Sequence, residues 1–295
     1  MTGQAIYHGT LKRLDADELS AKLAASPEEA ARWVYGAAVN GYVQGQIMWG
    51  QMLLDGRGTA RDPAAALRWF RIAASAGEMD GANMVGRCLD LGWGVPADPA
   101  QAARWYRVAA DNGHAWAQFN LAMLMVNGRG VNYDAAGALA LFVRAARQGN
   151  AKAMNMIGRL REAGVGTRAS RDSARRWYRR AAEGGCFRGR YHLGRLLAKD
   201  GQVQDAARWF GASIAIAPAD FCREAAAVLL ASPSEAIQEV GHRALARASE
   251  MDAQPQPRVP PHVRKPGGFR GTLRRAWQRF AVAAIRSDGR SSKAC

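Results

Sequence analysis

The chain has 295 residues, with 41 Lys and Arg against 25 Asp and Glu and a formal net charge of +16. It contains no run of about 18 apolar residues, which excludes a spanning helix, and its four cysteines, Cys88, Cys186, Cys222 and Cys295, fall in no C-x-x-C or Cys/His metal spacing. The length alone would suggest about two domains, but internal repetition favours one elongated domain instead.

In chain order, the opening stretch MTGQAIYHGTLKRLDADELS lacks the apolar core of a secretory signal, so the expected location is cytoplasmic. A degenerate helix near Leu14 to Ala25 makes residues 1–26 an imperfect N-terminal cap. SPEEAARWVYGAAVNG follows as a helix, with Ser26 and Glu29 as a capping box. Then the text begins to repeat. GRGTARDPAAALRWFRIAASAG, Gly56 to Gly77, recurs thirty-six residues on as GWGVPADPAQAARWYRVAADNG, Gly92 to Gly113. GRGVNYDAAGALALFVRAARQG and GVGTRASRDSARRWYRRAAEGG follow at the same interval, from Gly128 and Gly164. A fixed period in this range marks a solenoid.

Each unit reads as helix–loop–helix. Asp62, Asp98, Asp134 and Ser170 are N-caps for the second helix, and Pro63 and Pro99 suit its first position. Ala66, Trp69, Phe70, Ala73 and Ala74 then form an amphipathic stripe. The first helix carries glycines or alanines in register at Gly50, Gly86, Ala122, Gly158 and Gly194. A glycine inside a helix costs about 1 kcal/mol, so its recurrence points to a neighbour packed close. The spacing predicts helix pairs at 42–54 and 62–76, 78–90 and 98–112, 114–126 and 134–148, 150–162 and 170–184, and 186–199 and 203–217. Two closing helices follow in DFCREAAAVLLAS and SPSEAIQEVGHRALARASEM. One such unit cannot bury its own apolar face, and stacking on its neighbours does.

The pattern resembles the Sel1-like repeat family, which is related to tetratricopeptide repeats. AQFNLAMLMVNGRGVNYDAAGALALFVRAARQGN, Ala117 to Asn150, matches the family layout most fully, and the resemblance runs from about Pro27 to Pro218. It implies an all-α fold, an α/α superhelix of about five helix-loop-helix repeats with capping helices, and a role in binding other proteins. The solenoid is expected at 27–218 and the C-terminal capping helices at 219–252. Two departures stand out. Arg161 sits where the family usually places a large apolar residue, and the last unit, ending in Trp209-Phe210, lacks the G-x-G loop.

No catalytic constellation is legible. His8, His114, His192, His242 and His262 are scattered along the chain. The G-x-G pairs follow no strand and precede no G-K-[ST], so they are turns and not phosphate loops. Neither a cofactor nor a metal is expected. Trp33, Trp69, Trp105, Trp177 and Trp209 could stack nucleic-acid bases, but their common register assigns them to the core. The first helices line the concave face in related repeats, and the residues expected to point into that groove are Asn83, Arg87, Trp116, Phe119, Asn155, Arg159, Tyr191 and Arg195. There the asparagines would bond an extended backbone, the arginines would take carboxylates, and the aromatic rings would anchor the partner.

The expected function is therefore a non-catalytic scaffold or adaptor for a protein partner, with an extended acidic segment as its ligand. The alternative is nucleic-acid or anionic-membrane binding through residues 253–295, which hold ten Lys and Arg against one acid. That stretch is Pro/Gly-rich up to Thr272 and is expected to be largely disordered. Beyond it, LRRAWQRFAVAAIR forms a basic amphipathic pattern with Arg274, Arg275, Arg279 and Arg286.

Overall fold

The computed structural model describes residues 16–253, and within them every regular element is an α-helix. The helices are α1 (Ala16–Ala25), α2 (Pro27–Val39), α3 (Val43–Asp55), α4 (Pro63–Ser75), α5 (Met79–Leu91), α6 (Pro99–Asp111), α7 (Ala115–Asn127), α8 (Ala135–Arg147), α9 (Ala151–Ala163), α10 (Arg171–Glu183), α11 (Phe187–Lys199), α12 (Val203–Ile214), α13 (Ala219–Leu230) and α14 (Glu235–Ala253). The paired helices fall within a residue or two of the spacing-based spans, apart from α12, which stops at Ile214 and not at 217.

The capping chemistry fixes these bounds. Side chains of Ser26, Asp62, Asp134 and Ser170 accept from the amides of Glu29, Ala65, Gly137 and Ser173, three residues on. Asp98 does the same for Gln101. Two first helices borrow other side chains: His114 Nδ1 accepts from the Ala117 amide at 3.1 Å, and Asn150 from that of Ala153 at 3.0 Å. The first helices α3, α5, α7 and α9 end on a left-handed glycine, Gly56, Gly92, Gly128 or Gly164.

The second glycine of each G-x-G loop has a separate job. A side chain on Gly58 would run into the Pro27 carbonyl at the start of α2, and one on Gly94 would meet Pro63 at the start of α4. One on Gly166 would lie 2.6 Å from the backbone of Ala135, at the start of α8. The loop of each of these repeats thus seats on the first turn of the preceding second helix, and only a residue without a Cβ permits that approach.

The chain divides into two compact units between Ala109 and Ala110. In the first, α1 to α5 pack consecutively, with Ala30, Ala31, Val34, Met48 and Met52 forming a buried cluster. In the second, α7 through α12 pack each on the next, and α14 lies against both α13 and α12. One cluster of the second unit centres on Phe142 and Ile157, and the other runs from Tyr178 through Phe210 and Phe221 to Ala248.

One expectation needs correction. The tryptophan row is not the buried centre of the repeats: Trp33, Trp69, Trp105, Trp177 and Trp209 are all half-buried. The fully buried rings are one residue on, at Phe70, Tyr106, Phe142 and Tyr178, with Phe210 nearly so. An in-register glycine on the partner helix makes room for three of these rings. A Cβ on Gly50 would lie 2.6 Å from the Phe70 ring, one on Gly86 2.6 Å from Tyr106, and one on Gly158 2.5 Å from Tyr178. Where that register is glycine the bare backbone leaves room for the second ring; Phe142 is equally buried with Ala122 in the same register, so the glycine accommodates the ring and does not alone select it.

Candidate functional site

Helices α7, α9 and α11 are the first helices of the second unit's repeats and carry six of the eight expected groove residues. At its near end, Trp116 is 40% exposed. Lys152 Nζ stands 5.3 Å above its ring, and Phe119 meets it edge-on at 6.0 Å. Phe119 in turn rests 5.7 Å from the buried Phe142, so the exposed ring is braced from below. Arg159 is exposed and has no carboxylate partner among the described residues; its guanidinium lies 3.7 Å from Met156 Sδ. An aromatic ring, an ammonium and an open guanidinium together make a surface suited to an acidic ligand carrying an apolar side chain.

The other expected residues are placed differently. Asn155 is only 3% exposed, and its Oδ1 has no hydrogen-bond partner among the described residues. Tyr191 is half-buried between Phe210 and Phe221, at 5.3 and 5.4 Å, and belongs to the core cluster more than to an open face. Arg195 is already neutralised: one of its nitrogens donates to both oxygens of Glu162, at 2.6 and 2.5 Å. In the first unit, Asn83 is buried, and Arg87 lies over Trp93 at 4.9 Å with its NH1 3.4 Å from Met84 Sδ. Burial holds the Arg87 guanidinium below its usual range, against the charges of neighbouring groups. The expected row of open asparagines and arginines therefore splits. The physical reason is visible where α9 packs directly on α11: register positions that look free on one helix are taken up by the next. Arg274, Arg275, Arg279 and Arg286 lie outside the described residues.

Sequence reasoning missed the polar cluster that claims Arg195. Tyr178, on α10, donates to Glu162 Oε2 at 2.8 Å and stacks on His192 at 5.0 Å with an interplanar angle of 27°. Burial works to raise the Glu162 carboxyl, but the hydrogen bonds from Arg195 and Tyr178 outweigh it and hold the group below its ordinary range. Burial, followed by the bond to Glu162, pushes the Tyr178 phenol up. Burial and the charges of Arg195 and Arg159 push His192 down to about 4, so it is neutral near pH 7. Among the described residues, no group of three or more metal-ligating side chains is assembled, and no helix is long and apolar enough to cross a membrane.

The Sel1 repeat family matches four times in succession, at residues 43–78, 80–114, 117–150 and 151–186. The chain carries four Sel1 repeats. Sel1 repeats generally mediate protein–protein interaction, on a solenoid fold that is typically non-catalytic. No curated protein sequence matches the chain. Among solved structures, it is similar to c5321, a protective antigen present in uropathogenic Escherichia coli strains and displaying the same repeat fold, with 27% identity and a TM-score of 0.60 over 80% of this chain and 52% of the other. The chain thus spans about half the length of that relative. It is also similar in fold to a Sel1 repeat protein from Oxalobacter formigenes, with 22% identity and a TM-score of 0.69 over 80% of this chain and 99% of that one. A third similar fold is the immunity protein Pa5087 from Pseudomonas aeruginosa, with 16% identity, a TM-score of 0.52, and 77% and 89% of the two chains covered.

The repeats themselves held a signal for the missed cluster. Glu162 stands sixteen residues before Tyr178, and Asp90 stands sixteen before Tyr106. Where the buried ring is phenylalanine instead, at Phe70 and Phe142, the same interval leads back to Leu54 and Val126. A buried phenol needs an acceptor and a buried phenyl does not, so the alternation of acid with Tyr and aliphatic with Phe marks a side-chain contact.

Proposed function

We propose that this chain is a non-catalytic scaffold that docks an extended acidic protein segment on the first-helix face of its second unit, with Trp116 as the aromatic anchor and Arg159 and Lys152 as the charged contacts. The observation that carries the reading is an exposed, braced Trp116 and, on the same first-helix face, an exposed Arg159 that no carboxylate among the described residues claims. Exposed aromatic and arginine side chains are the types most often dominant at protein interfaces. Phe119 supports the anchor from behind. Asn83 and Arg87 form a separate, more enclosed group in the first unit and are secondary in this reading.

The test compares two baits from the native cell, the wild-type chain and the Trp116→Ala/Arg159→Glu double variant, with captured proteins quantified against each other. A partner depleted at least tenfold by the double variant, with helical content unchanged by circular dichroism, supports the docking face. Equal capture by both baits removes the proposal.

A further inference from the structure

We propose that a phosphoryl group binds in the cleft formed where the end of α9 meets the start of α10, held by Arg161, Arg168 and Arg176 with the hydroxyls of Ser170 and Ser173. These residues line an open cleft of about 530 Å³, together with Ala169. It lies within the second unit and shares no residue with the docking face, so it stands or falls independently of it.

Three observations carry the assignment. First, the charge in the cleft is unbalanced. No carboxylate lines it, and none of the three arginines is paired with an acid among the described residues. The nearby Glu162 is committed to Arg195 and Tyr178, and Asp200 to Arg171 and Arg175.

Second, Arg161 is built into the fold. In the other repeats its register is held by Leu53, Leu89, Met125 and Leu197, of which the three leucines are buried. A guanidinium at the place of a core leucine is costly to bury unless it is hydrogen-bonded. Its NH1 donates to Thr167 Oγ1 at 2.5 Å, while its Nε is buried with no hydrogen-bond partner among the described residues. The stem is thereby fixed under the cleft instead of ranging through solvent.

Third, the acid that would neutralise the site is missing from this repeat. Ser170 caps α10 where Asp62, Asp98 and Asp134 cap the equivalent helices. The Ser170 Oγ accepts from the Ser173 amide at 3.2 Å, which leaves its hydroxyl proton available to donate. Replacing leucine by arginine and aspartate by serine turns a neutral or acidic loop into a cationic one. A single carboxylate satisfies one guanidinium in a fork, whereas three guanidinium groups around one cleft suit a group with two charges and three acceptor oxygens, which is a phosphoryl group. That group reaches the cleft either on a small phosphate ester or on a phosphorylated side chain of a protein.

The experiment is calorimetric titration of the full chain at fixed ionic strength. The probes are inorganic pyrophosphate, a short peptide bearing one phosphoserine, and its unphosphorylated twin. Arg161→Leu restores the residue of three other repeats and is compatible with the fold; Arg176→Ala, at an exposed position, is the second variant. We expect a phosphorylated probe to bind the wild-type chain and to lose tenfold or more affinity in each variant, with the unphosphorylated peptide inert. Tighter pyrophosphate binding assigns the site to small phosphate esters, and tighter phosphopeptide binding assigns it to a phosphorylated protein. The proposal is overturned if neither phosphorylated probe binds, or if binding survives both substitutions undiminished and so resides elsewhere on this basic chain.

Discussion

Tyr178 donates its phenol proton to Glu162 across 2.8 Å, joining the second helix of the fourth repeat to the end of its own first helix, while Arg195 closes the same carboxylate from the following repeat at 2.6 and 2.5 Å. One carboxylate thus couples three helices, α9, α10 and α11. Because Glu162 and Arg195 keep side-chain exposures of 28% and 30%, their pairing is partly screened and its worth is modest.

Tyr178→Phe removes one donor and should lower the unfolding free energy by about 1.5 kcal/mol, the low end for a bond to a charged acceptor. Glu162→Leu should cost more, because it strands both the phenol and the guanidinium. The double variant recreates the Leu54/Phe70 combination and should cost less than the sum of the two. Urea unfolding of all four proteins supplies the cycle, and strict additivity would show that the two residues do not interact.

Gly166→Ala should be far more damaging than Gly149→Ala. Both glycines have positive φ, 66° and 84°, which costs an alanine about 1 kcal/mol. A Cβ on Gly149 meets nothing within 4 Å, whereas one on Gly166 meets the Ala135 backbone at 2.6 Å. Backbone cannot swing aside as a side chain can, so Gly166→Ala should add overpacking and lose at least about 3 kcal/mol in all. Comparable melting temperatures for the two variants would contradict the seating of the loop on the preceding repeat.

Tyr106→Ala should cost roughly 3–5 kcal/mol, as expected for emptying a fully buried aromatic site. Trp105→Ala should cost about half of that, since its ring is only half-buried. Denaturation of the two variants side by side tests which member of the aromatic pair fills the repeat.

His192 makes stability fall on acidification. Its folded pKa is depressed to about 4 by burial and by Arg195, Arg159 and Arg188, against the opposing charge of Glu162. Above pH 6.5 neither the folded nor the unfolded chain protonates this ring. Between about 6.5 and 4 the unfolded chain takes up the proton in preference to the folded one, so stability is lost as the pH falls, by roughly 3 kcal/mol across the window. His192→Met, which installs the residue found at Met84 and Met156, should flatten this part of the profile. An unchanged slope in the variant would place the pH dependence in other groups.

The sequence by itself determined the helix pairs, their caps and their period. These depend on local chemistry: an aspartate or serine oxygen on orphan amides, a glycine at positive φ, an apolar stripe every three to four residues. The Sel1 repeats were legible for the same reason, because their motif is that local grammar repeated. What the sequence did not decide was which of two adjacent large residues entered the core. Trp105 and Tyr106 both lie on the apolar side of α6, and it is Tyr106 that packs against the backbone of Gly86 on the partner helix, a tertiary contact. Nor did register alone decide which polar residues stayed available. Arg159 and Arg195 are identical in the one-dimensional pattern, yet Arg159 is open and Arg195 is spent on Glu162, because a charge thirty-three residues away comes within hydrogen-bonding distance only when α9 and α11 stack.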